Sequence, residues 1–184
     1  GGSMLPFLDY RSFDLSFSKY KIDSISTSGH KFIGTPIPCG ILVTYKKYVE
    51  QISNKICYLN SIDSTINGSR CGLASVCLYD RIFGDNKIDF VKDVKECIYN
   101  SLYLVEKLRN LEDKYNTNLE IGWLRYCNTV TFKKPLEHIV FKYQLACVEN
   151  KAHICVMQNI TKELIDKFIK DYERQSLINK YTTY

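Results

Sequence analysis

Between Ile25 and Lys46 the chain reads ISTSGHKFIGTPIPCGILVTYK, an order of residues that few backbones accommodate. Gly29, Gly34 and Gly40 supply conformational freedom, while Pro36 and Pro38 fix their own φ and each remove a backbone donor. The apolar run from Cys39 to Tyr45 predicts a strand buried on both faces. Upstream, residues 4–24 contain Pro6 and several aromatics, and predict a loop leading to a short strand that ends near Ile25. The result is a strand–turn–strand element with one lysine, Lys31, directly after Ser28-Gly29-His30. A solvated surface lysine needs no such setting, whereas a lysine used as a chemical group does.

Downstream, Tyr48–Ile56 predicts a short helix, and the small polar residues of DSTINGSRCG, Asp63–Gly72, predict a loop. Leu73–Phe83 reads as a helix entering a core, ended by Gly84-Asp85-Asn86. From Phe90, the spacing of Val91, Val94, Ile98, Leu102, Val105, Leu108 and Leu111 predicts one long amphipathic helix. Short strands follow at Ile121–Tyr126, Thr129–Phe132 and Ala152–Met157, with a helix over Leu136–Tyr143 between the last two. Thr161 can cap a final helix, with Ile160 stapled on Ile165 and a buried stripe of Leu164, Ile165, Phe168, Ile169 and Tyr172. Amphipathic helices beside alternating strands predict two layers, the two long helices packing on one face of an antiparallel sheet.

Composition narrows the function. With 45% hydrophobic and 24% charged residues the chain is core-forming. The net charge of +5 is spread along the sequence without an Arg/Lys block, which argues against nucleic-acid binding. No apolar run reaches membrane-spanning length, so no membrane partner is expected. The eight cysteines are scattered, lack any C-x-x-C pair, and sit mostly in apolar runs where a thiol acts as a small hydrophobe. Reduced thiols and a cytoplasmic location follow. His30, His138 and His153 are not at metal-ligand spacing, so no metal site is expected. His153, in an apolar strand, reads as a core histidine, and His138 as a solvated helix position.

The segment from Asp23 to Gly40 closely resembles the cofactor-lysine region of the group II pyridoxal-phosphate-dependent amino-acid decarboxylases, in particular their histidine decarboxylase and plant serine decarboxylase branch. STINGSRCG, Ser64–Gly72, resembles the T-I-S-G-S-R-N-G loop of that branch. Tyr143–Ile169 resembles its W-x-L-A-C…A-H-V-V-V-M-P-N-V-T segment. Two departures are Cys71, where the branch tends to have Asn, and Gln158, where it has Pro.

The resemblance implies an α/β chain, with an α+β small domain, that forms the C-terminal portion of a fold-type-I enzyme. Gly1-Gly2-Ser3 reads as an expression tag, residues 4–60 as the end of the large cofactor domain, within a mainly parallel sheet, and 61–184 as the small C-terminal domain. It implies Lys31 as the catalytic amine that holds pyridoxal 5'-phosphate, so that a substrate amine can exchange onto the cofactor. Burial of Lys31 would help that amine shed its proton. Ser28 and His30 are implied as phosphate-side donors, Gly29 as a point of close backbone approach, and Ser69 and Arg70 as residues near a dimer interface that reach a neighbouring subunit's phosphate. The implied activity is decarboxylation of an L-amino acid, histidine or serine. The family's ring-nitrogen aspartate and stacking histidine lie upstream of the segment matched by Leu5-Pro6-Phe7. The implied assembly is therefore a homodimer or a pairing with a complementing N-terminal chain. The alternative is a non-catalytic relative that binds or dimerises through the small domain.

Overall fold

The computed structural model describes residues 16–58, 60–65, 68–85 and 87–181, with side chains as far as Arg174. Gly1–Ser3, Leu5-Pro6-Phe7, and Ile66 and Asn67 of the polar loop thus lie outside the described residues. Two compact units divide the chain in sequence between Asp89 and Phe90.

The first unit opens with β1, Ser24–Ser28, in which Ile25 and Thr27 turn inward between serines. The strand expected to end near Ile25 therefore begins there instead, because the Ile/Thr alternation suits a half-buried strand. It pairs antiparallel with β2, Gly40–Thr44, in the register Ser24↔Thr44 to Ser28↔Gly40. β2 is the expected strand, but it is not buried on both faces: Leu42 and Val43 are 67% and 51% exposed. Among the described residues its one neighbour is β1, and their pairing is antiparallel rather than parallel.

Next come α1, Lys46–Ile52, β3, Asn54–Ile56, and β4, Ser61–Asp63. The helix expected over Tyr48–Ile56 is thus shifted and cut short, since Ser53 turns extended and Asn54–Ile56 pairs with β4. α2, Gly72–Phe83, has its expected length but buries only Ala74. Leu73, Val76, Tyr79 and Phe83 face outward rather than into a core.

The second unit is built on α3, Phe90–Tyr115. Its buried line, Val94, Cys97, Ser101, Leu104, Leu108 and Leu111, alternates steps of three and four. Val91 and Leu102 fall off that line and are exposed, although they were expected within it. Buried Ser101 satisfies its hydroxyl by donating to the Cys97 carbonyl one turn earlier, at 2.7 Å.

A four-stranded antiparallel sheet lies against this helix. It comprises β5, Gly122–Trp123, and β6, Thr129–Lys133; then, after α4, Glu137–Tyr143, come β7, Ala146–Val148, and β8, Lys151–Cys155. The order is β5-β6-β8-β7, with Thr129↔Cys155 and Phe132↔Ala152 in register. The 129–132 and 152–157 segments, expected in one antiparallel sheet, are neighbours in it, with β8 ending at Cys155. The expected 121–126 strand shrinks to two residues because Glu120 and Tyr126 adopt positive φ. β7 had no sequence signal: three residues before a tight Glu149-Asn150 turn carry no readable period.

α5, Lys162–Tyr181, closes the core. The Leu164 amide donates to the Thr161 hydroxyl at 3.3 Å, and Ile160 is half-buried against the core that holds Ile165, so cap and staple stand as expected. Leu164 itself is 36% exposed and leaves the stripe. Phe132 of β6 meets Phe168 and Tyr172 of α5 with ring centroids 5.5 and 5.8 Å apart, and the Tyr172 hydroxyl donates to the Lys133 carbonyl at 2.7 Å. Buried Asn100 and Asn128 tie the connections together by donating to the carbonyls of Ile160 and Val156.

All eight cysteines are free thiols. Cys97 is the fully buried one, and burial, with the Asp93 and Glu96 charges, pushes its thiol up to about 11. Cys57, Cys71 and Cys155 are exposed, so the small-hydrophobe reading does not extend to them.

Phe132→Ala should cost about 3–5 kcal/mol in urea denaturation, whereas Phe141→Ala, 79% exposed, should change stability by less than about 0.5 kcal/mol. Acid should weaken the seating of α5. The Lys142 ammonium and then the Tyr143 hydroxyl hold the Asp171 carboxyl below the usual range, and Lys114 and Tyr115 do the same for Glu173. Carboxyls depressed in the folded state stabilise it above their ordinary pKa of about 4, and this contribution fades as pH falls below that value. The denaturation midpoint should drop from about pH 4.5 downward, and the Asp171→Asn/Glu173→Gln double variant should show a shallower drop.

Candidate functional site

The turn between β1 and β2 is closed by its own backbone. The Gly29 amide donates to the Cys39 carbonyl at 2.9 Å, extending the ladder one step beyond Ser28↔Gly40. The Thr35 amide then donates back to the Gly29 carbonyl at 3.0 Å. Thr35 is buried, and its hydroxyl reaches the Ile37 carbonyl at 3.0 Å and lies 3.3 Å from the Cys39 sulfur.

Within this frame Phe32 and Ile33 are buried at 2% and 7% exposure, while His30 and Lys31 are exposed. Lys31 thus stands at a crest, clamped from below by the two apolar residues that follow it. Its expected burial is absent in this chain because nothing among the described residues overlies the crest. Ser28, half-buried, ends β1 just ahead of it.

His30 is anchored to the same turn, its Nδ1 lying 3.2 Å from both the amide nitrogen and the carbonyl oxygen of Cys39. The Cys39 amide can only donate, so Nδ1 is the acceptor of that bond. The ring then keeps an Nε2–H donor.

Gly29 is required by the packing of the turn itself. A Cβ there would lie 2.4 Å from the Cys39 sulfur and 3.6 Å from Ile41 and Leu78 methyl carbons. Gly34, at φ +78°, takes the left-handed conformation that turns the chain after Ile33. α2 contributes a residue with no local sequence signal: Nε of Arg81 donates to the Ile33 carbonyl at 3.0 Å.

Ser69 and Arg70 stand on a separate loop, between β4 and α2. Arg70 donates to the Thr65 hydroxyl at 2.7 Å and pairs with Asp63 at 3.4 Å, while the Thr65 amide and hydroxyl both donate to Asp63. Those Thr65 bonds, with Arg70 behind them, hold the Asp63 carboxyl below the ordinary range. Ser69 is exposed and the Arg70 side chain is 60% exposed. The structure therefore gathers Ser28, His30 and Lys31 on one turn, and organises Arg70 around Asp63.

An open depression of about 550 Å³ runs along Ser26, Thr27, Ser28, Gly40, Ile41 and Leu42. Among the described residues, no three His, Cys, Asp or Glu side chains gather as a metal site, and no helix is long and apolar enough to cross a membrane. His153 is half-buried in β8 opposite Thr131 and Ala146, and His138 is exposed on α4.

No family model matches the chain. Comparison with individual proteins does find relatives. Histidine decarboxylase of Solanum lycopersicum is 37% identical over 171 residues, covering 92% of this chain and 39% of the relative. Serine decarboxylase 2 of Oryza sativa subsp. japonica is 39% identical over 175 residues, covering 92% of this chain and 35% of the relative. The crystal structure of L-methionine decarboxylase from Streptomyces sp. 590 superposes with a TM-score of 0.74 at 26% identity, covering 85% of this chain and 32% of that one. The chain thus spans between a third and two fifths of the curated relatives it matches. Its mixed helix-and-sheet architecture agrees with the fold-type-I expectation. By sequence and by fold, the chain matches the C-terminal part of the group II amino-acid decarboxylases.

Proposed function

We propose that this chain is the cofactor-lysine end and small domain of a decarboxylase that converts histidine or serine to the amine and carbon dioxide, with Lys31 holding pyridoxal 5'-phosphate. The observation that carries this reading is the Lys31 crest. A primary amine stands on a turn closed at Gly29 and Thr35, next to the Ser28 hydroxyl and a His30 ring that its Cys39 contact leaves with a donor. That donor set, an amine for an aldehyde and a hydroxyl and imidazole for a phosphate, fits the group chemically.

When bound, the cofactor supplies an electron sink for breaking the bond to the α-carboxylate. The chain's own residues do the rest by position. Lys31 offers the amine, Phe32 and Ile33 keep its backbone from swinging, and His30 and Ser28 face the phosphate end. Arg70, steadied by Asp63, and Ser69 beside it extend toward a neighbouring subunit's phosphate. In this reading residues 4–60 complete the large cofactor domain and 61–184 form the small domain. The free thiols fit cytoplasmic action.

The exposed faces support assembly. Leu42 on β2 and Leu73, Val76, Tyr79 and Phe83 on α2 are each more than half exposed, and apolar surface of this kind is covered in a dimer or by a complementing N-terminal chain. The same surface favours a second reading, a non-catalytic relative that binds or dimerises.

The test for both is direct. With pyridoxal phosphate and borohydride, reductive labelling should concentrate on the peptide carrying Lys31, and Lys31→Ala should remove it together with any carbon dioxide release from histidine or serine. Labels spread evenly over the lysines would count against the cofactor reading. Sedimentation velocity should give a species larger than one chain, and a well-folded monomer at micromolar concentration would count against assembly.

A further inference from the structure

We infer that Arg81 is a positioning residue for Lys31, acting through the carbonyl of Ile33; this rests on the reading of Lys31 as the cofactor lysine. Ile33 is buried, two residues past Lys31, and its carbonyl takes a protein donor in a part-buried bond. Arg81 provides one from 48 residues away in sequence, Nε to O at 3.0 Å. The donor is a cation, so the bond is of the stronger, charge-assisted kind.

The approach depends on Gly34. At φ +78° it turns the chain immediately after Ile33, a conformation L side chains rarely adopt, whereas the 3.5 Å between a Cβ here and the guanidinium Nη2 is an ordinary contact. Arg81 has a firm base of its own. It sits in the last turn of α2, and its carbonyl accepts the amide of buried Ile88 at 2.9 Å. The bonds that hold the Lys31 turn include those to the Cys39 carbonyl at its start, to the Gly29 carbonyl across its neck, and from the Arg81 guanidinium beyond its crest.

Only the last of these holds comes from outside the turn. Without it, residues 30–34 keep their neck but lose the strut that fixes how far the crest stands from α2. A lysine amine that must meet an aldehyde carbon within bonding reach then spends a smaller fraction of its time in the competent position. A guanidinium merely lying on the helix surface would have no such effect.

Arg81→Met keeps an unbranched apolar stem and the helix propensity while removing every side-chain donor. In the 184-residue chain, the experiment compares wild type and variant by hydrogen exchange over residues 29–35 and by the share of reductive pyridoxal-phosphate label carried by Lys31. We expect exchange across 32–35 to quicken about tenfold, and the Lys31 share of label to fall by a similar factor, with the circular dichroism spectrum and exchange in 90–115 unchanged. Equal exchange and equal labelling in variant and wild type would overturn the inference. If Lys31 takes no label even in wild type, the cofactor reading fails, while exchange alone still decides whether Arg81 holds the turn: faster exchange upholds that hold, and unchanged exchange overturns it. Where Arg81→Met does not fold, Arg81→Gln, which removes the guanidinium but keeps a polar end, carries the same comparison with the same two outcomes.

Discussion

Gly29 has no space for a side chain, and the geometry of the lysine turn follows from that restriction. The Cys39 sulfur occupies the volume a Cβ would need, so strand and returning chain can close to within one backbone hydrogen bond of each other. From that contact come the neck between Gly29 and Thr35, the burial of Phe32 and Ile33, and the exposure of the residue just before them. Here the packing of a thiol against a glycine sets where an amine stands.

The unit from Phe90 onward solves a different problem. Its core is aromatic where sheet meets helix, with Phe132, Phe168, Tyr172 and Tyr143 in edge-on or tilted contact, and aliphatic along α3. Polar groups enter this core only with a partner: Ser101 on Cys97, Asn100 on Ile160, Asn128 on Val156. The two asparagine bonds reach the ends of other elements, just before α5 and just after β8, while the serine bond stays within α3. Ion pairs outside the core, Lys142 with Asp171 and Lys114 with Glu173, join α5 to α4 and to α3.

Much of this was legible in the residues. α3 and α5 announce themselves by period, and β6 and β8 by alternation, because each is long enough for several repeats of its pattern. β3, β4 and β7 have three residues each, too few for any period to show. The outward face of α2 exposes a general limit: Leu73, Val76, Tyr79 and Phe83 read as apolar whether a core or another surface receives them. At the candidate site, glycine and proline punctuation marked the Lys31 turn, since those residues act locally. Arg81 could not be found that way, because a helical arginine bonding to a distant carbonyl leaves no local signature. The close packing of Cys39 against Gly29 left no local sign either, since it depends on how the returning strand closes on the turn.

The Cys39 thiol also makes the turn vulnerable to reagents that never touch an amine. It is half-buried and unbridged, and it is packed against Gly29 and Thr35 with no slack on the glycine side. Any alkyl or oxidised group added to that sulfur acts as a wedge, prising the neck apart and tilting the crest above it. Modification of that sulfur would therefore report mechanical damage to the turn, and a protected cysteine would not on that account be a reacting one.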